Sequence, residues 1–190
     1  AMLAFPSERP VFLREKAAQM YGVVPYFLSK TLMEMPVLLL QVTLQLFIVY
    51  WLIGLNGNPI IFILAMFMNG AVAASIALFV GCFMGDVTGA IQVLPMTLVP
   101  QILFAGFLIK MSSIPVFLRW VQYFCGLKWT MNILLTIEFE DSVLGKQMLD
   151  DNDIDPDLIG VYFCIQIGLM ILFRIAAALA LAMKAGSVYN

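Results

Sequence analysis

Charged residues are absent from three long stretches of the chain and nearly absent from a fourth. Met35 to Leu55 carries none over 21 residues, Pro59 to Gly85 none over 27, and Val87 to Ile109 none over 23. Leu158 to Met183 carries one, Arg174. About 20 predominantly apolar residues take a helix across a hydrocarbon layer about 30 Å thick, so each stretch is long enough to span. Membrane barrel strands instead run about ten residues with strict alternation. Val37-Leu38-Leu39-Leu40 and Ala71-Val72-Ala73-Ala74 do not alternate. The pattern predicts an all-α membrane protein, a single membrane domain over residues 1–190 with transmembrane helices over 26–55, 59–85, 87–109 and 158–183.

Turn residues punctuate this pattern. Pro25 suits a first helical turn, and Pro36 is a candidate kink. Gly54-Leu55-Asn56-Gly57-Asn58-Pro59 reads as a short turn and Gly85-Asp86-Val87-Thr88-Gly89 as a tight break. The second and third spans are therefore expected as antiparallel neighbours.

Two segments fit no span. Residues 5–22 mix Phe12, Ala17, Ala18 and Met20 with Arg9, Arg14, Glu15, Lys16 and Gln19. That mixture predicts an amphipathic helix at the membrane face, either a surface-lying lead-in or a docking helix for a soluble domain. Residues 111–157 form an outer loop. Within it, Arg119 and Lys128 interrupt apolar runs too short to span, and Trp120, Tyr123 and Trp129 suit the headgroup level. A re-entrant helical segment is expected there, since such backbone is tolerated at membrane depth when buried in protein or lining a wet cavity. A loop resting on the membrane is the plainer reading.

Composition narrows the chemistry. The chain is 63% hydrophobic and 12% charged, with a mean hydropathy of +0.98. Soluble domains run about 45–50% apolar and about 25% charged. These figures exclude a disordered chain and argue against a soluble enzyme. With no histidine, Ser-His-Asp and Cys-His catalysis and most zinc sites go too. Cys82, Cys125 and Cys164 have no recognisable spacing and read as buried apolar residues. Asp151, Asp153 and Asp155 imitate the first ligands of a calcium loop, but Pro156 stands where its glycine belongs and Tyr162 where its glutamate belongs. No GxxxxGK[ST], GxSxG, HExxH or CxxC sequence occurs. No catalytic residue, metal site or cofactor of this chain's own is expected, and no nucleic-acid partner.

Charge also orients the chain. Arg9, Arg14, Lys16 and Lys30 precede the first span, and Lys184 follows the last. Basic residues collect on the cytoplasmic side, so an even span count places both termini in the cytoplasm. Small residues at Ala73, Ala77, Gly81 and Gly85 suggest a helix-packing stripe. Gln41, Gln45, Asn69, Gln101, Gln166 and Arg174 are polar within spans. Arg174 is expected either to snorkel toward the cytoplasm or to pair inside the bundle.

Further motifs carry a resemblance. Glu8-Arg9-Pro10-Val11-Phe12-Leu13-Arg14-Glu15 is followed by Tyr26-Phe27-Leu28-Ser29-Lys30 and Glu34-Met35-Pro36. Later come Leu103-Phe104-Ala105-Gly106-Phe107-Leu108-Ile109, Ile114-Pro115, Trp120, Tyr123 and Glu138-Phe139. Over nearly its whole length the chain resembles the transmembrane domain of the G subfamily of ABC transporters, the White and pleiotropic-drug-resistance type. The resemblance implies the membrane-spanning permease portion of an ATP-driven exporter of lipids, sterols or other amphipathic compounds. The four spans would be the third to sixth of a six-span half-transporter.

ATP and Mg would belong to a nucleotide-binding domain, the first partner. A second transmembrane domain, identical or different, would be another, with membrane lipids around both. Glu8, Arg9, Phe12, Arg14 and Glu15 would couple to the nucleotide-binding domain. Leu98, Val99, Gln101 and Ile102 would line a substrate cavity, beneath a hydrophobic valve at Phe107 and Leu108. The competing expectation is a non-transporting structural or accessory membrane subunit derived from such a transporter.

Overall fold

A computed structural model of the chain describes residues 23–84, 87–105, 116–139, 145–147, 149 and 154–186. The expected coupling helix at 5–22 and the expected valve at Phe107 and Leu108 lie outside these residues. All regular structure among the described residues is helical. Among the described residues, three helices are long and apolar enough to cross a membrane: Leu28–Ile53, Pro59–Phe83 and Pro156–Leu181.

Helix α1 covers Val23–Ile53 and continues through Pro36. It stops at Gly54, whose φ of 73° is the left-handed conformation that glycine adopts without strain. Gly54 N–H donates to Tyr50 O at 3.0 Å and closes the last turn. Asn58 then starts α2, Pro59–Phe83, by accepting the Ile60 N–H at its side-chain oxygen (3.0 Å), with Pro59 in the first turn. Helix α3 runs Val87–Leu103 and contains Pro95 and Pro100. Each proline withholds an N–H from the helical ladder. The helix gives way to a turn at Phe104 and Ala105.

A 3-10 helix, Val116–Phe124, leads into α4, Gly126–Phe139. A second short 3-10 turn, Pro156–Leu158, opens onto α5, Ile159–Gly186. Asp155 caps that turn by accepting the Asp157 N–H at 3.1 Å. This is a local structural use for one of the acids that imitate a calcium loop.

The core lies where α2, α4 and α5 meet. Ala65, Val72 and Ile76 of α2 pack with Trp129 and Ile133 of α4 and with Tyr162 and Leu169 of α5. Helices α2 and α5 share the most extensive contact, and α1 lies chiefly against α2. The buried face of α2 runs through Ala71, Ser75, Leu78 and Cys82, whereas Ala73 is exposed and Ala77 only half-buried. Of the small-residue stripe read from the sequence, Gly81 is buried, Ala77 half-buried and Ala73 exposed, and Gly85 lies outside the described residues. The stripe therefore meets the buried face only toward the end of the helix, whereas Ser75, outside it, is buried against Arg174.

Helix α4 stands beside α2 in the opposite direction. Its first residue, Gly126, abuts Val72, where an added Cβ would lie 2.8 Å from a Val72 methyl. Its far end reaches the turn between α1 and α2, where the Glu138 carboxylate accepts the Asn56 N–H at 3.2 Å and the Gly57 N–H at 3.3 Å. Tyr50 donates its hydroxyl to Gly57 O at 3.2 Å. With 14 residues, α4 is about 21 Å long, too short to span.

Gly57 has no room for a side chain. A Cβ there would stand 2.5 Å from Ile137 and 2.6 Å from Phe62. Gly57→Ala is expected to destabilise the fold by about 1–3 kcal/mol through overpacking. Thermal unfolding in detergent reads this as a lowered midpoint. An unchanged midpoint would show that the turn is looser than described.

Candidate functional site

Arg174 settles between the two expectations drawn from the sequence: it pairs inside the bundle. Its position on α5 faces α1 and α2 together. Nε donates to Ser75 Oγ of α2 at 3.1 Å, and Nη1 donates to Thr31 Oγ1 of α1. Nη2 stands 3.9 Å from Glu34 Oε2, also on α1. The side chains of Arg174 and Glu34 are 13% and 21% exposed. Three helices thus meet on one guanidinium. The planar fork suits this task, since it presents donors in several directions at once.

Local geometry prepares the acceptors. Ser75 donates its own hydroxyl proton to Ala71 O at 2.7 Å. That leaves an oxygen lone pair for Arg174. The Glu34 contact is incomplete by comparison. Neither Glu34 oxygen nor Nη2 has a hydrogen-bond partner among the described residues, and 3.9 Å exceeds hydrogen-bond length. The pair is electrostatic rather than bonded. Glu34 and Ser75 lie 19 and 16 residues from the helix ends at Ile53 and Pro59, where the α1–α2 turn sits. At 1.5 Å per residue the junction is about 24–28 Å from that turn, toward the opposite end of the bundle.

A second buried polar contact joins α4 to α5. Gln166 Nε2 donates to Thr130 Oγ1 at 2.6 Å, and Thr130 in turn donates to Gly126 O at 3.1 Å. Nearer the loop, Trp129 stacks on Tyr162 with ring centroids 5.6 Å apart. Tyr162 exchanges hydrogen bonds with the Asp155 backbone at 3.2 Å. Lys128 donates to Gln122 at 3.1 Å and lies over the rings of Tyr123 and Trp129.

The cavity residues expected from the sequence lie on α3. Leu98, Val99 and Ile102 are exposed, and Gln101 is half-buried. Together they form an apolar face that no other described part of this chain covers. The Gln101 carbonyl accepts the Cys125 thiol proton at 3.2 Å and ties α3 to the start of α4. Burial pushes the Cys125 thiol pKa up, which keeps it protonated as a donor. Of the expected coupling and valve residues, none is among those described. Sequence reasoning missed Thr31, Glu34 and Ser75 as partners of Arg174. The signal was present only in part: a lone membrane arginine requires partners, but its own helix does not say which.

Residues 1–139 match the family described as ABC-2 type transporter. ABC transporter G family member 22 of Arabidopsis thaliana is 32% identical over 144 residues, covering 74% of this chain and 19% of the relative. Protein white of Ceratitis capitata is 29% identical over 204 residues, covering 95% of the chain and 29% of the relative. Protein white of Drosophila melanogaster is 31% identical over 145 residues, covering 75% and 21%. The chain therefore spans less than a third of the length of these relatives.

Removing one member of the Arg174 junction strands the others in a low-dielectric site. Arg174→Leu is expected to destabilise the bundle by about 3 kcal/mol, the lower part of the range for breaking a buried pair. Glu34→Leu added to it should restore much of the loss. A double-mutant cycle on detergent unfolding measures both; equal stability of Arg174→Leu and the wild type would remove the junction from the fold's supports.

Proposed function

Since the chain belongs to the ABC-2 type transporter family, we propose that it is the membrane permease portion of an ATP-driven exporter of lipids, sterols or similar amphipathic compounds. The transport assignment follows from the family. The substrate class is inferred from the α3 face, whose Leu98, Val99 and Ile102 present no charge. Pockets of that kind take apolar bodies and orient them with few polar groups. In this reading α3 is the third of four crossings, α4 is a re-entrant helix entered from the outer side, and both termini are cytoplasmic.

The observation that carries the mechanism is the Arg174 junction. Residues 5–22, with Glu8, Arg9, Phe12, Arg14 and Glu15, lead directly into α1. In this reading they meet the nucleotide-binding domain, which holds ATP and Mg. A displacement of that segment moves the inner end of α1. Because Arg174 joins α1 to α2 and α5, three helices move as a unit rather than one. A second transmembrane domain faces the α3 surface, and the slot between the two opens and closes with that motion.

Arg14→Ala in the intact transporter tests the coupling. ATP hydrolysis is expected to continue while substrate transport falls about tenfold, within the usual range of coupling energies. Transport and hydrolysis are measured together in proteoliposomes. An unchanged ratio of molecules moved per ATP would sink the docking role of this segment.

A further inference from the structure

Gln41 stands at the midpoint of the span Leu28–Ile53, and Gln45 stands one turn further on. Both amides are exposed, and neither has a hydrogen-bond partner among the described residues. In a hydrocarbon layer about 30 Å thick the headgroups lie about 15 Å from that midpoint, beyond the reach of a glutamine side chain. The lipid tails offer no donor or acceptor, and an amide left bare among them is costly. Val37 and Leu38 separate the pair from one end of α1, and Ile48 and Leu52 separate it from the other, so no polar track leads water to it. Spanning backbone carries polar groups to this depth as helices or closed barrels, and amides bond across helix pairs. The missing partner is therefore a helix.

The pattern along α1 supports that conclusion independently. Leu38, Gln41, Gln45, Ile48 and Leu52 recur at alternating spacings of three and four residues, the spacing of a seam between two packed helices. Leu38 begins the seam against Gly70 of α2, where an added Cβ would lie 2.8 Å from a Leu38 methyl. Further along, the seam is bare: Ile48 and Leu52 are 65% and 84% exposed. Beside the amides a cavity of about 240 Å³ opens between α1 and α2, with Asn69 on its α2 wall. It has room for side chains of an incoming helix.

A second copy of the chain is the competing occupant. In the transport reading above, on which this choice rests, the second transmembrane domain meets the α3 surface. Helix α3 lies against α2 and α4, whereas α1 lies against α2 and α5. A two-fold pair closes through one self-complementary surface, so with α3 in that surface the α1 seam is left for a different helix. The chain spans less than a third of the length of its relatives, which leaves ample polypeptide to supply one.

We propose that the seam of α1 through Gln41 and Gln45 is the docking face for a further transmembrane helix of the same polypeptide, lying outside residues 1–190 and presenting an amide or hydroxyl side chain to the two glutamines. Each glutamine offers both a carbonyl oxygen and an NH₂ group, so either kind of partner is satisfied. The pair fixes the rotation and depth of the incoming helix, because a turn or slip strands both amides in hydrocarbon.

The test uses the full-length transporter in phosphatidylcholine vesicles. A carbene reagent dissolved in the lipid marks side chains that face the tails. In the wild type, Leu40, Phe47 and Trp51, which point away from the seam, are expected to take the label, and Ile48 and Leu52 to escape it. Equal labelling of the two sets overturns the proposal and depends on no variant. Gln41→p-benzoylphenylalanine and, separately, Gln45→p-benzoylphenylalanine are then photolysed. The expected product keeps the size of one polypeptide and joins α1 to an apolar peptide outside residues 1–190. A product of two polypeptides, a crosslink within residues 1–190 or an adduct with lipid alone overturns the proposal. ATP-driven efflux of a fluorescent sterol from the same vesicles judges the transport reading separately. Efflux with an unprotected seam sinks the docking face alone; a protected seam and the expected crosslink without efflux support the docking face and count against the transport reading.

Discussion

A charge placed among membrane helices must find its partners in protein, and Arg174 shows how far that requirement reaches. Water is not at hand to solvate it, so its helix must lie where other helices offer acceptors. Thr31 and Glu34 on α1 and Ser75 on α2 supply them. The register of all three helices follows from this meeting. Helix α1 has few other ties: Val42 and Leu46 are its buried apolar residues among those described, and most of its large side chains face outward. The polar junction fixes its N-terminal part. At its C-terminal end the Glu138 carboxylate holds the turn by two backbone N–H groups.

The same device appears twice at helix contacts. A serine or threonine gives its proton to the carbonyl four residues earlier and offers a lone pair to a donor on another helix. Ser75 does this between Ala71 and Arg174, and Thr130 between Gly126 and Gln166. A hydroxyl used this way has no unsatisfied hydrogen, which matters more in lipid than in water. It also places a polar contact on a helix face that is otherwise apolar. A hydropathy pattern alone does not distinguish such a serine from a small packing residue.

That distinction governs how much was legible in the sequence. The absence of charge marked α1, α2 and α5 clearly, because insertion into hydrocarbon acts on each helix singly. The turn at Gly54 to Pro59 was equally plain, since it needs a left-handed glycine and an asparagine cap within six residues. The packing faces were not. Ala73 and Ser75 both look like small residues suited to a seam, and only the position of Arg174, 99 residues from Ser75, decides between them. The short α4 was expected from its aromatic and basic interruptions, but its partner was not. Glu138 belonged to a recognised Glu-Phe pair, yet its task of clamping a turn 81 residues earlier exists only in three dimensions.

The two fixed points on α1 bear on the cavity between α1 and α2. The clamp at Asn56 and the junction at Thr31 and Glu34 lie 22 to 25 residues apart, or about 33–37 Å along a helix. Gln41 and Gln45 fall between them, with a cavity rather than packed side chains at their backs. A rigid helix held at the α1–α2 turn and displaced at its N-terminal end would swing about that turn, its middle moving about half as far as its far end. The α1–α2 seam at Leu46 lies in that middle stretch and separates two cavities. Interiors are close-packed and resist continuous deformation, so a swing is taken up where packing is already open. The cavity between α1 and α2 is therefore where such a swing would be taken up.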